Sequence, residues 1–259
     1  MVATALMADL AHLPRPALES MAEAGREILE CRRALAKTGD NIVAELLRAE
    51  PEFFEWDHYP VGDVYDGETH SQYYYHAHPP DARDPDEHGH FHTFLRPKGM
   101  PADMHPLPVP GWSPPTDENG ALCHLVAISM DRRGDPYRLF TVNRWVTGET
   151  WYRGADVVRM LDLFAIDQAR PSWPVNRWIT AMVCLFKPQI ASLVTARDRR
   201  IAAWRRSHPE GDVFEDRRLE IAAAERISVE AQIAAVEAAL AEERVSVPAR
   251  TRPGSRHRP

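Results

Sequence analysis

Hydrophobic positions divide the chain into a helical opening, an extended middle and a helical close. From about Pro16 to Ala36, Leu18, Met21, Ile28 and Leu35 recur at sums of three and four residues, which gathers them on one helical face. Pro16 suits a first turn, and Thr38-Gly39 ends the run. Asp40 is expected to cap a short second helix from Asn41 to Arg48, with Ile42, Leu46 and Leu47 facing inward. The helical spacing is then lost from Pro51 to about Trp151. Ser71–His78 (SQYYYHAH) is rich in β-favouring aromatics, and His88–Leu95 (HGHFHTFL) alternates, so two strands are predicted with a loop between them. Proline-rich residues 101–115 read as an extended surface crossing. Cys123–Met130 and Tyr137–Val146 flank a polar turn containing Gly134 and predict a second hairpin. From Asp156 the helical period returns, first through Val157, Met160, Leu161 and Phe164. A longer run, Val175–His208, must kink or split at Pro188, because proline lacks the backbone donor and clashes with the preceding turn. A last run, Phe214–Arg244, carries Val229, Ile233, Val236 and Leu240 at heptad spacing.

This order predicts an α+β fold: an antiparallel sheet of about four strands with N-terminal and C-terminal helices packed on one face. Residues 1–50 form the N-terminal helices, 51–210 the main α+β domain and 211–246 the C-terminal helix. Residues 247–259, basic and proline-rich, are expected to be a disordered tail. The heptad stripe is first read as packing against the body. A homodimer through the C-terminal helix is the alternative.

Composition narrows the function classes. With 31 Lys and Arg against 38 Asp and Glu the net charge is −7, which argues against binding nucleic acid by phosphate neutralisation. No apolar run approaches the roughly 18 residues of a membrane span. The start lacks a basic n-region and carries Asp9, so no signal peptide is expected. Three separated cysteines (Cys31, Cys123, Cys184), without a CxxC pair, fit neither a disulfide framework nor a thiolate zinc ribbon. A cytoplasmic protein is the expectation.

Histidine is the abnormal count. Spread evenly, 12 histidines in 259 residues would leave fewer than one in a 17-residue window, yet residues 76–92 hold five. Alternate residues of a strand share a face. His76 and His78 therefore fall on one side with Gln72 and Tyr74, while His88, His90, His92 and Phe94 share a side of the next strand. The more apolar set, including Tyr73, Tyr75, Phe91 and Leu95, is left for the helices. Neighbouring strands lie about 4.8 Å apart and next-but-one residues about 7 Å, so two or three imidazoles from this surface can reach one ion. Imidazole nitrogen suits divalent transition metals such as iron, copper or zinc.

His76, His78, His90 and His92 are the candidate ligands, with His88 a ligand or proton shuttle. Glu87 is a ligand, an acceptor that orients an imidazole, or a general base on metal-bound water. A metal-dependent enzyme acting on a small molecule, by oxidative or hydrolytic chemistry, is the favoured reading. A metal-binding protein without catalysis, a metal-free catalytic histidine site and purely structural rings are the alternatives. His124 opens a strand and is a weaker candidate for the same cavity. His58 and His70 are weaker still, and His105, between prolines, reads as a loop residue. No HExxH, GxSxG or glycine-rich phosphate loop is present.

A second polar constellation follows. Asn143–Trp151 (NRWVTGETW) and Arg170–Trp178 (RPSWPVNRW) both combine arginine, asparagine and tryptophan. Arg144, Trp145 and Arg177 are candidate substrate-binding residues, since arginine forks bind carboxylate or phosphate and tryptophan offers a flat wall. The plainer reading pairs Arg144 or Arg177 with Glu149 or Asp167.

Locally, His88-Gly-His90-Phe-His92-Thr-Phe94 resembles the histidine-triad signature. That resemblance implies a metal-free phosphoryl or nucleotidyl hydrolase or transferase in which His90, the middle histidine, attacks phosphorus. Gly89 and Thr93 depart from its hydrophobic positions. Over roughly residues 50 to 200, the run through WDHYP, YYYHAHP, EHGHFHTFLRP, ISMDRRG and RWVTGETWY resembles a family of uncharacterised bacterial proteins, which implies one conserved architecture and no particular chemistry.

Overall fold

Thirteen regular helices and strands build one sheet with helices layered on it in a computed structural model that describes residues 10–113 and 115–246. The expectations for residues 1–9 and for the basic tail at 247–259 lie outside the described residues. Helices α1 (Arg15–Ala36) and α2 (Ile42–Leu47) precede strands β1 (Tyr59–Tyr65), β2 (Ser71–His76), β3 (Glu87–Leu95), β4 (Cys123–Asp131) and β5 (Pro136–Val142). There follow α3 (Arg144–Thr147), α4 (Gly154–Met160), α5 (Trp173–Leu185), α6 (Lys187–Ser207), a sixth strand β6 (Ile221–Arg226) and α7 (Val229–Ser246).

The sheet has six strands in the order β1-β2-β3-β4-β5-β6, every neighbouring pair antiparallel, rather than about four. Both added strands are edges. β1 reads YPVGDVY, where proline, glycine and aspartate hide the alternation, and only an edge tolerates such residues. β6 reads IAAAER, a sequence of good helix formers, and the expected helix from Phe214 instead begins at Val229. Pairing of Phe140 with Ala224 and Thr141 with Ala223 overrides that propensity. β5 stops at Val142, four residues early, because the Asn143 side chain accepts the N–H of Arg144 and starts α3. At α2 the cap is Asn41 rather than Asp40, its side chain accepting the Ala44 N–H.

The apolar face carries the helices. Tyr73 of β2 and Phe91 of β3 touch edge to face, and Phe91 meets Trp178 of α5 at 5.5 Å between ring centroids. The one polar atom of the Tyr73 side chain is satisfied, its hydroxyl donating to Asn176 Oδ1 at 2.7 Å. Helix α1 covers α5, and α7 lies on α1, where Gly25 leaves room for Ile233; a Cβ on Gly25 would stand 2.8 Å from Ile233 Cγ1. Val229 and Val236 are buried in the same core, so the heptad stripe packs against its own chain. The break at Phe186, just ahead of Pro188, bends α5 from α6 by 69°. No single helix among the described residues is long and apolar enough to cross a membrane.

Candidate metal centre

The opposite face of β2 and β3 gathers imidazoles. His76 and His90 are direct cross-strand partners, and their Nε2 atoms lie 2.7 Å apart. His78, just past the end of β2, is buried beside them, with its ring centroid 5.0 Å from His76 and 5.1 Å from His90. One nitrogen from each of His76, His78 and His90 falls within 4.8 Å of the others. Among the described residues, this is the only group of three metal-ligating side chains so placed.

A carboxylate orients one of these rings. Glu87 Oε1 sits 2.8 Å from His90 Nδ1, and Glu87 Oε2 accepts from the Arg138 guanidinium at 3.0 Å. In the neutral ring, the His90 proton is thus held on Nδ1 and the Nε2 lone pair is aimed at His76. This carboxylate–histidine pairing recurs behind metal ligands because it fixes the tautomer and raises ligand basicity. Burial alone pushes the Glu87 carboxyl up, but its bond to His90 and the Arg138 charge outweigh that and hold it at about 2. Burial, followed by the neighbouring imidazoles, lowers His76 to about 2 and lowers His78 too. Both are neutral at ordinary pH, the form that binds metal.

His92 lies next along the same face. Its Nδ1 is 2.9 Å from His124 Nε2, whereas its Nε2 is buried without a hydrogen-bond partner among the described residues. Buried polar atoms are rarely left so. Behind the pair, Glu149 Oε2 accepts the His124 backbone N–H at 2.8 Å. Burial lowers His124 to about 3, and it raises Glu149 to about 7.

Strand parity fails at His88. The register slips between Glu87 and Gly89, so His88 is the extra residue of a bulge. The bulge turns Glu87 onto the histidine face and sends His88 to the other side, where its Nδ1 is 2.7 Å from the Tyr75 hydroxyl. His88, His90 and His92 therefore do not share a surface. Gly89 is required beside it: a Cβ there would stand 2.5 Å from the His76 carbonyl oxygen.

The arginine and tryptophan residues are not brought together. Arg177 is on α5, paired with Glu27 at 3.1 Å and with Asp167 at 3.8 Å, on the helix side of the sheet. Arg144 pairs with Glu215 at 2.6 Å, and Trp145 donates its indole N–H to the Leu219 carbonyl. Of the acids named from sequence, Asp167 lies near Arg177 behind its shorter contact to Glu27, and the partner of Arg144 is Glu215 rather than either of them.

Several site residues were not singled out from sequence. Arg138 braces Glu87 from β5, and Phe140 sets its ring edge-on to His90 at 5.2 Å. Trp56 stacks on His78 at 4.3 Å; His58, one of the weaker candidates from sequence, lies flat on Tyr74 at 3.6 Å. Arg138 and Phe140 share the period-two alternation of the histidines, a usable signal once β5 is paired to β4. Trp56 sits in an irregular loop and left none. A cavity of about 550 Å³ opens over the site, with His78, His90 and His92 in its wall.

Residues 22–227, most of the chain, match the family described as a domain of unknown function (DUF6969). The chain belongs to that family. All the histidines of the site lie within the matched span. No curated protein and no solved structure shows significant similarity to the chain.

Proposed function

We propose that the chain is a metal-dependent enzyme whose divalent transition metal is held by His76, His78 and His90. The observation that carries this reading is the convergence of three buried imidazole nitrogens within 4.8 Å of one another. Sharing one proton between His76 Nε2 and His90 Nε2 at 2.7 Å is the arrangement a metal ion would replace. Glu87 supports the reading as the acceptor behind His90, and His92 Nε2, without a partner among the described residues, supports a fourth ligand or a hydrogen bond to whatever the metal binds.

Catalysis, rather than storage, is favoured by the cavity. A metal on three protein ligands keeps a position for water or substrate, and here the ligands His78 and His90 line a space large enough for a small molecule. A closed structural shell would need no such space. The metal would supply Lewis-acid or redox chemistry at that position. This chain's own residues would fix the ligands in place and hold the His90 proton on Nδ1.

Elemental analysis of untagged protein, before and after reconstitution, tests the reading. About one equivalent of a transition metal is expected, lost on His90→Ala. Less than about 0.1 equivalent of any transition metal after reconstitution would overturn it.

A further inference from the structure

We infer that this centre takes a small organic carboxylate with an apolar body, an inference that rests on the metal reading above. The first reason is charge. Imidazole binds a metal as a neutral ligand, so three of them leave the charge of a divalent ion uncompensated. The nearest carboxylate, Glu87, is engaged by His90 Nδ1 and by Arg138. Asp84 is drawn to the same arginine at 3.6 Å. Counting Glu87, Asp84, Arg138 and a divalent ion, the floor of the cavity carries about one net positive charge. Among the other lining residues, the cations Arg83 and Arg200 are matched in number by the acids Asp81 and Glu220, while Arg218 is held by Asp216. These residues thus add no strong field of either sign, and the attraction for an anion sits at the metal.

The second reason is the wall. Phe140 and Val142 of β5, with Val146, Leu219 and Ile221, line one side of the same cavity. Phe140 stands edge-on to the ligand His90. A molecule whose carboxylate oxygen reaches the metal would lay its remaining atoms along this apolar strip. A compact inorganic anion would leave the strip uncovered, and a neutral polar molecule would forgo the charge.

Benzoate and its neutral isostere benzamide separate these terms. The full chain would be loaded with Co²⁺ and its visible absorption followed during titration. Benzoate is expected to shift the spectrum and to bind at least about tenfold tighter than benzamide, because the charged oxygen makes the stronger contact. Ile221→Asp, at an exposed position of the wall on the edge strand β6 and not among the metal ligands, is expected to weaken benzoate about tenfold or more while leaving the Co²⁺ spectrum without benzoate unchanged. Equal binding of benzoate and benzamide, or no benzoate response by a Co²⁺-loaded protein, would overturn this inference alone. Unweakened benzoate binding by Ile221→Asp would overturn the assignment to this wall. Failure of the chain to bind Co²⁺ or any other divalent transition metal would overturn the metal centre and this inference with it.

Discussion

The two faces of β2 and β3 are built from alternate residues of the same two strands, yet they differ in what their burial accomplishes. On the helix face, Tyr73, Tyr75, Phe91 and Leu95 are buried among apolar neighbours, and the Tyr73 hydroxyl has its partner in Asn176. On the other face His76, His90 and His92 are buried as well, but they contact one another, and one nitrogen of His92 has no partner among the described residues. Burying imidazoles that must stay neutral works against stability as pH falls; burying aromatics does not. The helix face holds the sheet, and the histidine face spends part of that stability on a preorganised set of ligands. The contrast is set by parity alone, and at His88 one extra residue is enough to reverse it.

The comparison can be broken at its strong side first. Phe91→Ala should destabilise the fold by about 3–5 kcal/mol, by loss of apolar burial and the cavity left against Trp178. Denaturant unfolding measures it, and a loss below about 1 kcal/mol would mean that the helix face does not carry the core.

On the weak side, the effect is one of pH. His76 and His124 have folded values near 2 and 3, and His92 is also lowered by burial, against an ordinary value of 6.5. Their contribution is fully present above the unfolded value and is lost as pH falls below it, since the unfolded chain takes up protons that the folded one refuses. Glu149 acts in the opposite sense: its folded value of about 7 is above the ordinary 4.5, so the folded chain gains relative stability as pH falls between them. His78 and His88 are lowered by burial in the same sense as His76, and Glu225 is raised like Glu149. The imidazoles outweigh the acids, so metal-free protein should lose about 2–4 kcal/mol or more between pH 6.5 and 5. Unfolding midpoints across that range check this, and a flat profile would show that the rings are not buried neutral.

Smaller effects sharpen the site itself. Glu87→Gln keeps the shape but replaces the carboxylate behind His90, so metal affinity should fall about 10–100-fold with the stoichiometry retained. Competition with a chelator measures this, and unchanged affinity would reduce Glu87 to a partner of Arg138. The smallest effect belongs to the helix side: Arg177→Ala should leave metal affinity unchanged and cost about 0–1 kcal/mol, as a half-exposed ion pair does. A marked loss of metal affinity there would mean that the two faces are coupled.

Much of this was legible in the sequence because parity is local. The spacing of His76, His78, His90 and His92 needed only two strands and a loop between them to bring the rings together, and the alternating aromatics Tyr73, Tyr75 and Phe91 marked the face left for the helices. What stayed hidden depended on distant partners. IAAAER becomes a strand through β5, not through its own propensity, and the broken alternation of β1 gives no periodic signal. The bulge at His88 shows only in register, although Gly89 beside it marks a close backbone approach. The Arg144–Trp145 and Arg177–Trp178 runs look alike in sequence, but they lie on different elements, and their arginines are held by different acids.

The central claim is that His76, His78 and His90 hold a metal ion, and the most direct measurement is metal stoichiometry in untagged wild-type protein beside His90→Ala. The account predicts about one transition-metal equivalent in the wild type and a loss of at least about tenfold in the variant, with the variant still folded. A wild type that binds none after reconstitution, or a folded variant that binds as much as the wild type, would contradict it.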